Sequence, residues 1–338
     1  MKKDLTYICD YMKKLVIPST PGNFIVSEPF RYGLTNEEHK KGIEAFREFL
    51  YDLYDYLAAN KDKIDVKTGS RYDINGTWNG CGNINTAYPV FCDLSHILVN
   101  LGFNGGLEAG GKNLTVHCND LQKVICAKSH KYIALENKSN ERKSELFCLL
   151  SDLGLHFDGL DISENIDLSK NKKIRITSKK NEFFALGLKL ISEAAVNIKY
   201  NYYLVNSLQG AFLRCDFYPL ASAKPKKQIV NIREFINPQS SEIQKWIMEI
   251  DSFLVKNGCS ISNNIAGYDC EFTYTKRGKK NNKGMVCRFF ISIKGVYIMP
   301  GINHPEHQDI IPLDNPDNRK RLKNWIESEF IIKAYSTS

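Results

Sequence analysis

Residues 241–299 read SEIQKWIMEIDSFLVKNGCSISNNIAGYDCEFTYTKRGKKNNKGMVCRFFISIKGVYIM, and this stretch decides the fold class. Apolar residues recur every three or four positions over 241–256, which predicts an amphipathic helix. Ser241 and Gln244 have the spacing of a capping box at the start of that helix. Gly258 follows its last turn, where a residue with left-handed backbone geometry commonly ends a helix.

Strands follow this helix. Aromatic and β-branched residues concentrate in three short runs, a composition that favours strands, and turn residues separate the runs. The predicted strand runs are 259–264, 268–276 and 285–299. A closing helix begins at Pro316, which suits a first-turn position, and extends to about residue 331. Residues 241–338 are therefore expected to form a C-terminal domain of a helix, a three-stranded meander and a second helix.

The order of helix, glycine and two strands also occurs twice earlier in the chain. The first copy has a helix at 91–101 that ends at Gly102, and the second has a helix at 141–153 that ends at Gly154. Two strand-like runs follow each glycine. Amphipathic helices next to antiparallel pairs predict an α+β fold with antiparallel sheets covered by helices. Such punctuation is common, so common ancestry of these repeated units is left open.

Two further elements complete the N-terminal part. Thr35 and Glu38 match a capping box, and the apolar residues after them predict a long helix over 35–59. The run 211–220 alternates apolar and polar residues, which predicts a strand.

A change of composition marks the boundary between domains. Residues 221–240 carry two prolines and a basic cluster, which is typical of a linker. We therefore expect an N-terminal α+β domain over 1–220 and the C-terminal domain described above.

Positive charge is concentrated in two windows, although the net charge of +8 is moderate. No acidic residue occurs between Phe272 and Pro305 or between Leu168 and Asn181. Each window lies at a predicted hairpin, and basic hairpins are a plausible contact for the phosphates of a nucleic acid. The candidate polyanion-binding residues are Lys276, Arg277, Lys279, Lys280, Lys283 and Arg288 in one window and Lys172, Lys173 and Arg175 in the other. Basic hairpins also occur as ordinary solvated turns that protect sheet edges.

Two aromatic residues are candidates for stacking on a base or a sugar. Tyr274 lies in the first basic window, and Trp78 lies in a Gly/Asn-rich loop at 66–90. The helix, strands and basic hairpin of residues 241–300 also resemble, in layout, the double-wing DNA-binding modules of small α+β domains. That resemblance rests on element order, because no residue motif accompanies it.

Candidates for metal chemistry are weak. His304 and His307 lie on a Pro-containing loop, which lacks the helical spacing that aims two imidazoles at one ion. Cys92 and His96 are one helical turn apart, but no paired-cysteine knuckle accompanies them. No nucleotide-binding motif occurs, so no metal or cofactor is expected. A Cys–His nucleophilic pair stays open, since such partners meet in space rather than in sequence.

Three functions remain possible from these observations. The first is a non-enzymatic binding protein whose basic hairpins contact a nucleic acid or another polyanion, such as an acidic protein. The second is a protein-interaction or regulatory module whose charge is incidental. The third is an enzyme with a site near the 66–90 loop. The N-terminal residues form no signal peptide, no membrane-spanning run occurs, and the scattered cysteines suit free thiols, so a cytoplasmic location is expected.

Overall fold

The computed structural model describes most of the chain. The described ranges are 3–64, 84–121, 140–162, 166, 173–198, 204–224, 230–266, 268–277, 283–301, 306 and 309–335. These residues form two compact units, and the division between them falls at residues 228 and 229. That division lies inside the segment 221–240, for which the composition predicts a linker.

The first unit combines helices with a small sheet. Its helices are α1 (Leu5–Leu15), α2 (Asn36–Ala59), α3 (Ile84–Ala87), α4 (Pro89–Asn104), α5 (Cys118–Leu121), α6 (Asn140–Asp152), α7 (Phe184–Val196) and α8 (Leu204–Leu213). Its strands are β1 (Gly106–Leu107), β2 (Leu114–His117), β3 (Leu155–Asp158) and β4 (Lys173–Ser178). The capping box of α2 is confirmed, because the Thr35 side chain accepts from the Glu38 backbone and Glu38 accepts from the Thr35 backbone.

Helix α7 is the centre of the first unit. It is buried along almost its whole length and packs against α2, α4 and α8. Glycine allows both of the closest crossings: a Cβ on Gly187 would lie 2.0 Å from the Gly42 carbonyl oxygen of α2, and one on Gly102 would lie 2.1 Å from Ser192 Oγ. Gly102 therefore lies inside α4 and does not cap it, which corrects the expectation for the first repeated unit.

The sheet of the first unit is antiparallel, with strand order β1-β2-β4-β3. Buried and exposed side chains alternate along β3, as expected for a sheet with one face on the core. Gly154, which follows α6, has a φ of 95° and is confirmed as a left-handed residue after a helix. Residues 211–220 are not a strand, because 211–213 end α8 and 218–220 begin a 3-10 helix at Tyr218–Ala221, with a turn between them.

The second unit is a meander with helices on one face. Its elements are α9 (Ile232–Ile236), α10 (Ser241–Lys256), β5 (Ser260–Ala266), β6 (Asp269–Arg277), β7 (Lys283–Ser292), β8 (Gly295–Pro300), β9 (Ile311–Pro312) and α11 (Pro316–Tyr335). The five strands pair in sequence order, and every pairing is antiparallel. Five strands replace the three that were expected, because a turn at Ile293 and Lys294 divides the third predicted run and β9 adds to the edge.

Aromatic side chains fill the core of the second unit. Trp246 of α10 packs edge-on against Phe289 of β7, and Phe235 of α9 packs edge-on against Phe272 of β6. The predicted linker therefore includes a packed helix, α9, whose apolar side chains are buried. Gly258 has a φ of 79°, as expected after α10.

The start of α10 differs by one residue from the expectation. The N-cap is Ser240, whose Oγ accepts from the Ile243 backbone. The Gln244 side chain donates to the carbonyls of Asn237 and Gln239 in the preceding turn. The capping box predicted at Ser241 is therefore wrong, although a serine cap is present.

The fold class is confirmed as α+β, with two antiparallel sheets packed against helices. Among the helices within the described ranges, none combines the length and the apolar character that crossing a bilayer requires.

Candidate functional site

The basic hairpin of the second unit is formed by β6 and β7. The two strands pair from Cys270↔Ile291 to Arg277↔Lys283, with a register shift after Tyr274. Arg277 and Lys283 therefore lie directly opposite each other at the end of the ladder, and Lys276 lies opposite Gly284. Lys279 and Lys280 lie in the connection and are outside the described residues. The hairpin predicted from the acid-free window is present, with two basic positions facing across it.

Arg288 lies further down the same hairpin and is held in place. Its Nε donates to Thr273 Oγ1 at 3.1 Å, and its guanidinium lies 3.8 Å from a Glu271 carboxylate oxygen. The guanidinium also lies over the Phe290 ring, 5.9 Å from its centroid. These contacts keep Arg288 about one third exposed, so part of its charge is compensated within the sheet.

Tyr274 is a core residue, which corrects the expectation that it stacks on a ligand. Its side chain is fully buried, and its hydroxyl donates to Asp251 Oδ1 of α10 at 2.6 Å. Its ring packs edge-on against Phe289, with centroids 5.7 Å apart. Burial and the Asp251 carboxylate together raise the pKa of Tyr274 far above its usual value. A ring enclosed in this way offers no face to a base. The other stacking candidate, Trp78, is outside the described residues.

The basic window of the first unit contains an arginine whose charge is already paired. Arg175 of β4 forms a two-pronged ion pair with Glu108, with N–O distances of 2.9–3.2 Å. Hydrogen bonds from Arg175, Thr115 and Asn113 lower the pKa of Glu108 to about 2, so this carboxylate stays charged at neutral pH. Lys173 is exposed, opposite His117 in the neighbouring strand, and Lys172 is outside the described residues.

The expectation of a polyanion contact in this window is thus weakened for Arg175. Its guanidinium already has a geometrically matched carboxylate, whereas a phosphate would have to displace Glu108. The two basic windows belong to different units, so each is considered separately.

A polar cluster lies between α4 and α8. Cys92 Sγ is 3.6 Å from His96 Nε2, one helical turn further along α4. The side-chain amide nitrogen of Gln209 in α8 lies 3.0 Å from Cys92 Sγ and 2.8 Å from His96 Nε2. His96 and Gln209 are buried, whereas Cys92 is half-buried. Helical periodicity identifies the Cys92–His96 pair, but Gln209 lies 113 residues later than His96 and only folding brings it there.

No group of three or more His, Cys, Asp or Glu side chains converges on a metal-sized site in the described part of the chain. Cys92 and His96 are close enough to share an ion, but the third neighbour is an amide nitrogen, which donates hydrogen bonds and does not bind cations. His304 and His307 are outside the described residues.

Two of the clefts in the first unit are lined by described residues. The larger, of about 690 Å³, lies between the end of α2 and the faces of α4 and α6. Ile64, which precedes the predicted 66–90 loop, and Val90, its last residue and part of α4, both line this cleft. Tyr56 at its rim donates to Asp152 Oδ2 at 2.7 Å. Its volume suits a small ligand, and it is the place where an enzyme site near that loop would lie.

The smaller cleft, of about 330 Å³, lies beside the β1–β2 turn. The nearly buried Lys189 reaches it, and its ammonium donates to the Phe103 carbonyl at 2.7 Å and pairs with Glu193 at 2.9 Å. Because Glu193 already balances the charge of Lys189, this cleft presents little positive charge to an anionic ligand.

The chain was compared with family models, curated proteins and solved structures, and none of these comparisons gives a match.

Proposed function

We propose that this chain is a non-enzymatic, cytoplasmic binding protein that contacts the phosphates of a nucleic acid through the β6–β7 hairpin of its second unit. One observation carries the proposal: the strand register sets Arg277 directly opposite Lys283 at the end of the hairpin. Lys276, Lys279 and Lys280 are within a few residues of this pair in sequence, and the nearest acidic residue before them, Glu271, lies beside Arg288.

Facing cations are an unfavourable arrangement without a ligand. Like charges directly opposite in an antiparallel pair destabilise it by a few tenths of a kcal/mol, up to about 1 kcal/mol. A polyanion would turn this repulsion into attraction and would release its own condensed counterions.

The contrast between the two basic windows supports the choice of the β6–β7 hairpin. In the first unit, Glu108 occupies Arg175, and Lys180 lies 2.7 Å from Asp52 Oδ2. Acidic residues of the same unit therefore already pair with two of the basic residues of that window. In the second unit, the sequence supplies no acid within the window itself.

The test is a fluorescence-anisotropy titration of the full chain with a labelled duplex and a labelled single strand at about 50 mM salt. The variant Arg277→Gln/Lys283→Gln removes the facing pair but keeps long polar side chains. The matched control is Lys245→Gln/Lys320→Gln, which removes two exposed lysines from α10 and α11 of the same unit. We expect the hairpin variant to bind at least ~10-fold more weakly and the control to bind within about 2-fold of the parent.

Two outcomes would contradict the proposal. Equal losses in both variants would mean that net charge alone drives binding. Failure to detect a complex with both the duplex and the single strand would mean that a nucleic acid is not the ligand. A competition arm with polyglutamate identifies an acidic protein as the partner if polyglutamate displaces the probe as effectively as unlabelled nucleic acid does.

A further inference from the structure

Strand β5 forms one edge of the sheet in the second unit. It pairs with β6 on one side, and no other described strand pairs with its opposite side. Backbone N–H and C=O groups of a strand point alternately to its two sides, so about half of those in this seven-residue strand point away from β6. An edge of this kind is a template on which another strand can pair.

The sequence of β5 lacks the features that protect most sheet edges. Proteins commonly protect an edge with charged side chains, with proline or by keeping the strand very short. The other described edges have such features: β1 and β9 contain two residues each, β9 includes Pro312, and β3 exposes His156 and Asp158. β5 has seven residues, no proline and no register shift against β6, and no acidic or basic residue occurs between Lys256 and Asp269.

Apolar side chains continue past the core at this edge. Ile261 lies directly opposite the buried Tyr274, so it projects from the face of the sheet that the helices cover. Ile261 is nevertheless 43% exposed, and Val255 is 48% exposed in the last turn of α10, the helix that leads into β5. The core of the second unit is therefore incompletely covered at the β5 edge.

The sequence of β5 is nearly symmetric about its central residue, Asn263. When two copies pair antiparallel with Asn263 opposite itself, Ile261 of each copy faces Ile265 of the other, and Ser262 faces Asn264. Apolar residues then meet on the helix-covered face, where pairs of β-branched side chains stabilise a ladder, and polar residues meet on the open face. This self-complementarity favours a second copy of the chain, rather than an unrelated peptide, as the partner of the edge.

We propose that β5 is a dimer interface, on which a second copy of this chain pairs its own β5 in antiparallel orientation about a two-fold axis at Asn263. The two five-stranded sheets then form one continuous sheet across the interface. Main-chain hydrogen bonds of the new ladder supply affinity, and the apolar side chains at the joint lose contact with water. This association does not depend on the proposed nucleic-acid contact.

The positive charge of the hairpins does not oppose this pairing. Ser260, three residues before Asn263, lies opposite Thr275, and Arg277 is two residues further along β6. The end of each hairpin is therefore about five residue positions from the two-fold axis, so the two ends lie roughly 34 Å apart along the strands. That separation is several times the Debye length of about 10 Å at 0.1 M salt, so the repulsion between the hairpins is largely screened.

Sedimentation of the full chain measures the association, without nucleic acid and with a reducing agent to prevent disulfides between copies. A single strand pairing buries little area, so we expect a weak dimer with a Kd on the order of 10 µM. Between about 1 and 200 µM, the average mass should rise from the 38.6 kDa of one chain towards about 77 kDa. Over the same range, backbone amides of β5 should gain protection from hydrogen exchange.

Charges at Ser262 test the register of the pair. Ser262 is exposed, and its two copies are diagonal neighbours roughly 7–8 Å apart, within reach of long side chains. Ser262→Lys should weaken the dimer at least ~10-fold, whereas an equimolar mixture of the Ser262→Lys and Ser262→Glu chains should associate within about 3-fold of the parent. The matched control is Ser241→Lys, which adds the same charge at an exposed serine at the start of α10 and should leave the parental Kd unchanged.

Two results would overturn the proposal. One is a mass that stays at 38.6 kDa over the whole concentration range, which is also the result expected if the edge instead accepts a strand from a different protein. The other is a dimer that the Ser262→Lys and Ser241→Lys chains form equally well, because the interface would then lie elsewhere. Circular dichroism of each variant confirms that it is folded.

Discussion

The crossing of α2 and α7 gives the sharpest test of the fold of the first unit. A Cβ added to Gly187 would lie 2.0 Å from the Gly42 carbonyl oxygen and 2.9 Å from Phe46 Cβ. A carbon cannot approach an oxygen that closely, so Gly187→Ala forces the two helices apart by more than an ångström. The separation would disturb the aromatic contacts of Phe184 with Phe46 and Phe49 across the same interface.

The expected cost is the balance of two effects. Overpacking of a core costs about 1–3 kcal/mol, and rigid backbone on both sides puts this site at the upper end of that range. Alanine in place of glycine returns about 1 kcal/mol of helix propensity. The net loss is therefore about 2 kcal/mol, which lowers the Tm by roughly 4–8 °C for a unit of this size.

Urea unfolding followed by circular dichroism at the helical minimum measures this loss. Gly22→Ala is the matched control, because nothing lies within 4 Å of a Cβ at Gly22. We expect the control to unfold within about 0.5 kcal/mol of the parent. A Gly187→Ala chain as stable as the Gly22→Ala chain would refute the close crossing of α2 and α7.

Three further predictions concern individual side chains. Tyr274→Phe leaves the ring in the core but removes the 2.6 Å hydrogen bond to Asp251, so it should lower the free energy of unfolding in urea by about 1–2 kcal/mol. Nucleic-acid binding should be unchanged. Loss of binding in a variant that stays folded would mean that Tyr274 does contact the ligand. Burial raises the pKa of Asp269 to about 7, against the lowering effect of Lys294, so the native second unit holds a proton that the unfolded chain has already released between about pH 4 and 7. Its free energy of unfolding should therefore fall as pH rises through that window, and Asp269→Asn should abolish the fall; an unchanged pH dependence of the urea midpoint would contradict this. Arg175→Ala should leave binding within about 2-fold of the parent, because Glu108 already holds the guanidinium, whereas a loss equal to that of the hairpin variant would place the first unit in the interface.

Local signals in the sequence located much of the fold. The Thr35–Glu38 box starts α2 where its spacing predicts, and Gly154 and Gly258 end helices with the left-handed geometry expected of them. Each of these features depends on residues within one or two helical turns, which a single sequence displays directly.

The corrections arise where distant parts of the chain decide the role of a residue. Gly102 carries the sequence signature of a cap, yet it is needed for close contact with Ser192 of α7. The alternation of residues 211–220 suggests a strand, but packing against α4 and α7 makes the first part of this run the end of α8. Tyr274 has the position of a surface aromatic in the hairpin, but it is buried against Asp251.

The candidate sites also combine features that neighbouring residues reveal with partners that only the fold brings close. The positive charge of the hairpin and the Cys92–His96 spacing can be read from neighbouring residues. Glu108, which neutralises Arg175, and Gln209, which completes the polar cluster, come from distant segments, and only the folded chain reveals them.

The salt dependence of nucleic-acid binding tests the proposed function most directly. Five phosphate contacts by the hairpin predict a slope of about −4.5 for log affinity against log salt on duplex DNA, or roughly a 500-fold loss between about 50 and 200 mM. The Arg277→Gln/Lys283→Gln chain should give a slope of about −2.7, and the Lys245→Gln/Lys320→Gln chain should keep the parental value. A parental slope in the hairpin variant would contradict the account, because it would mean that the facing pair at the end of β6 and β7 does not touch the phosphates.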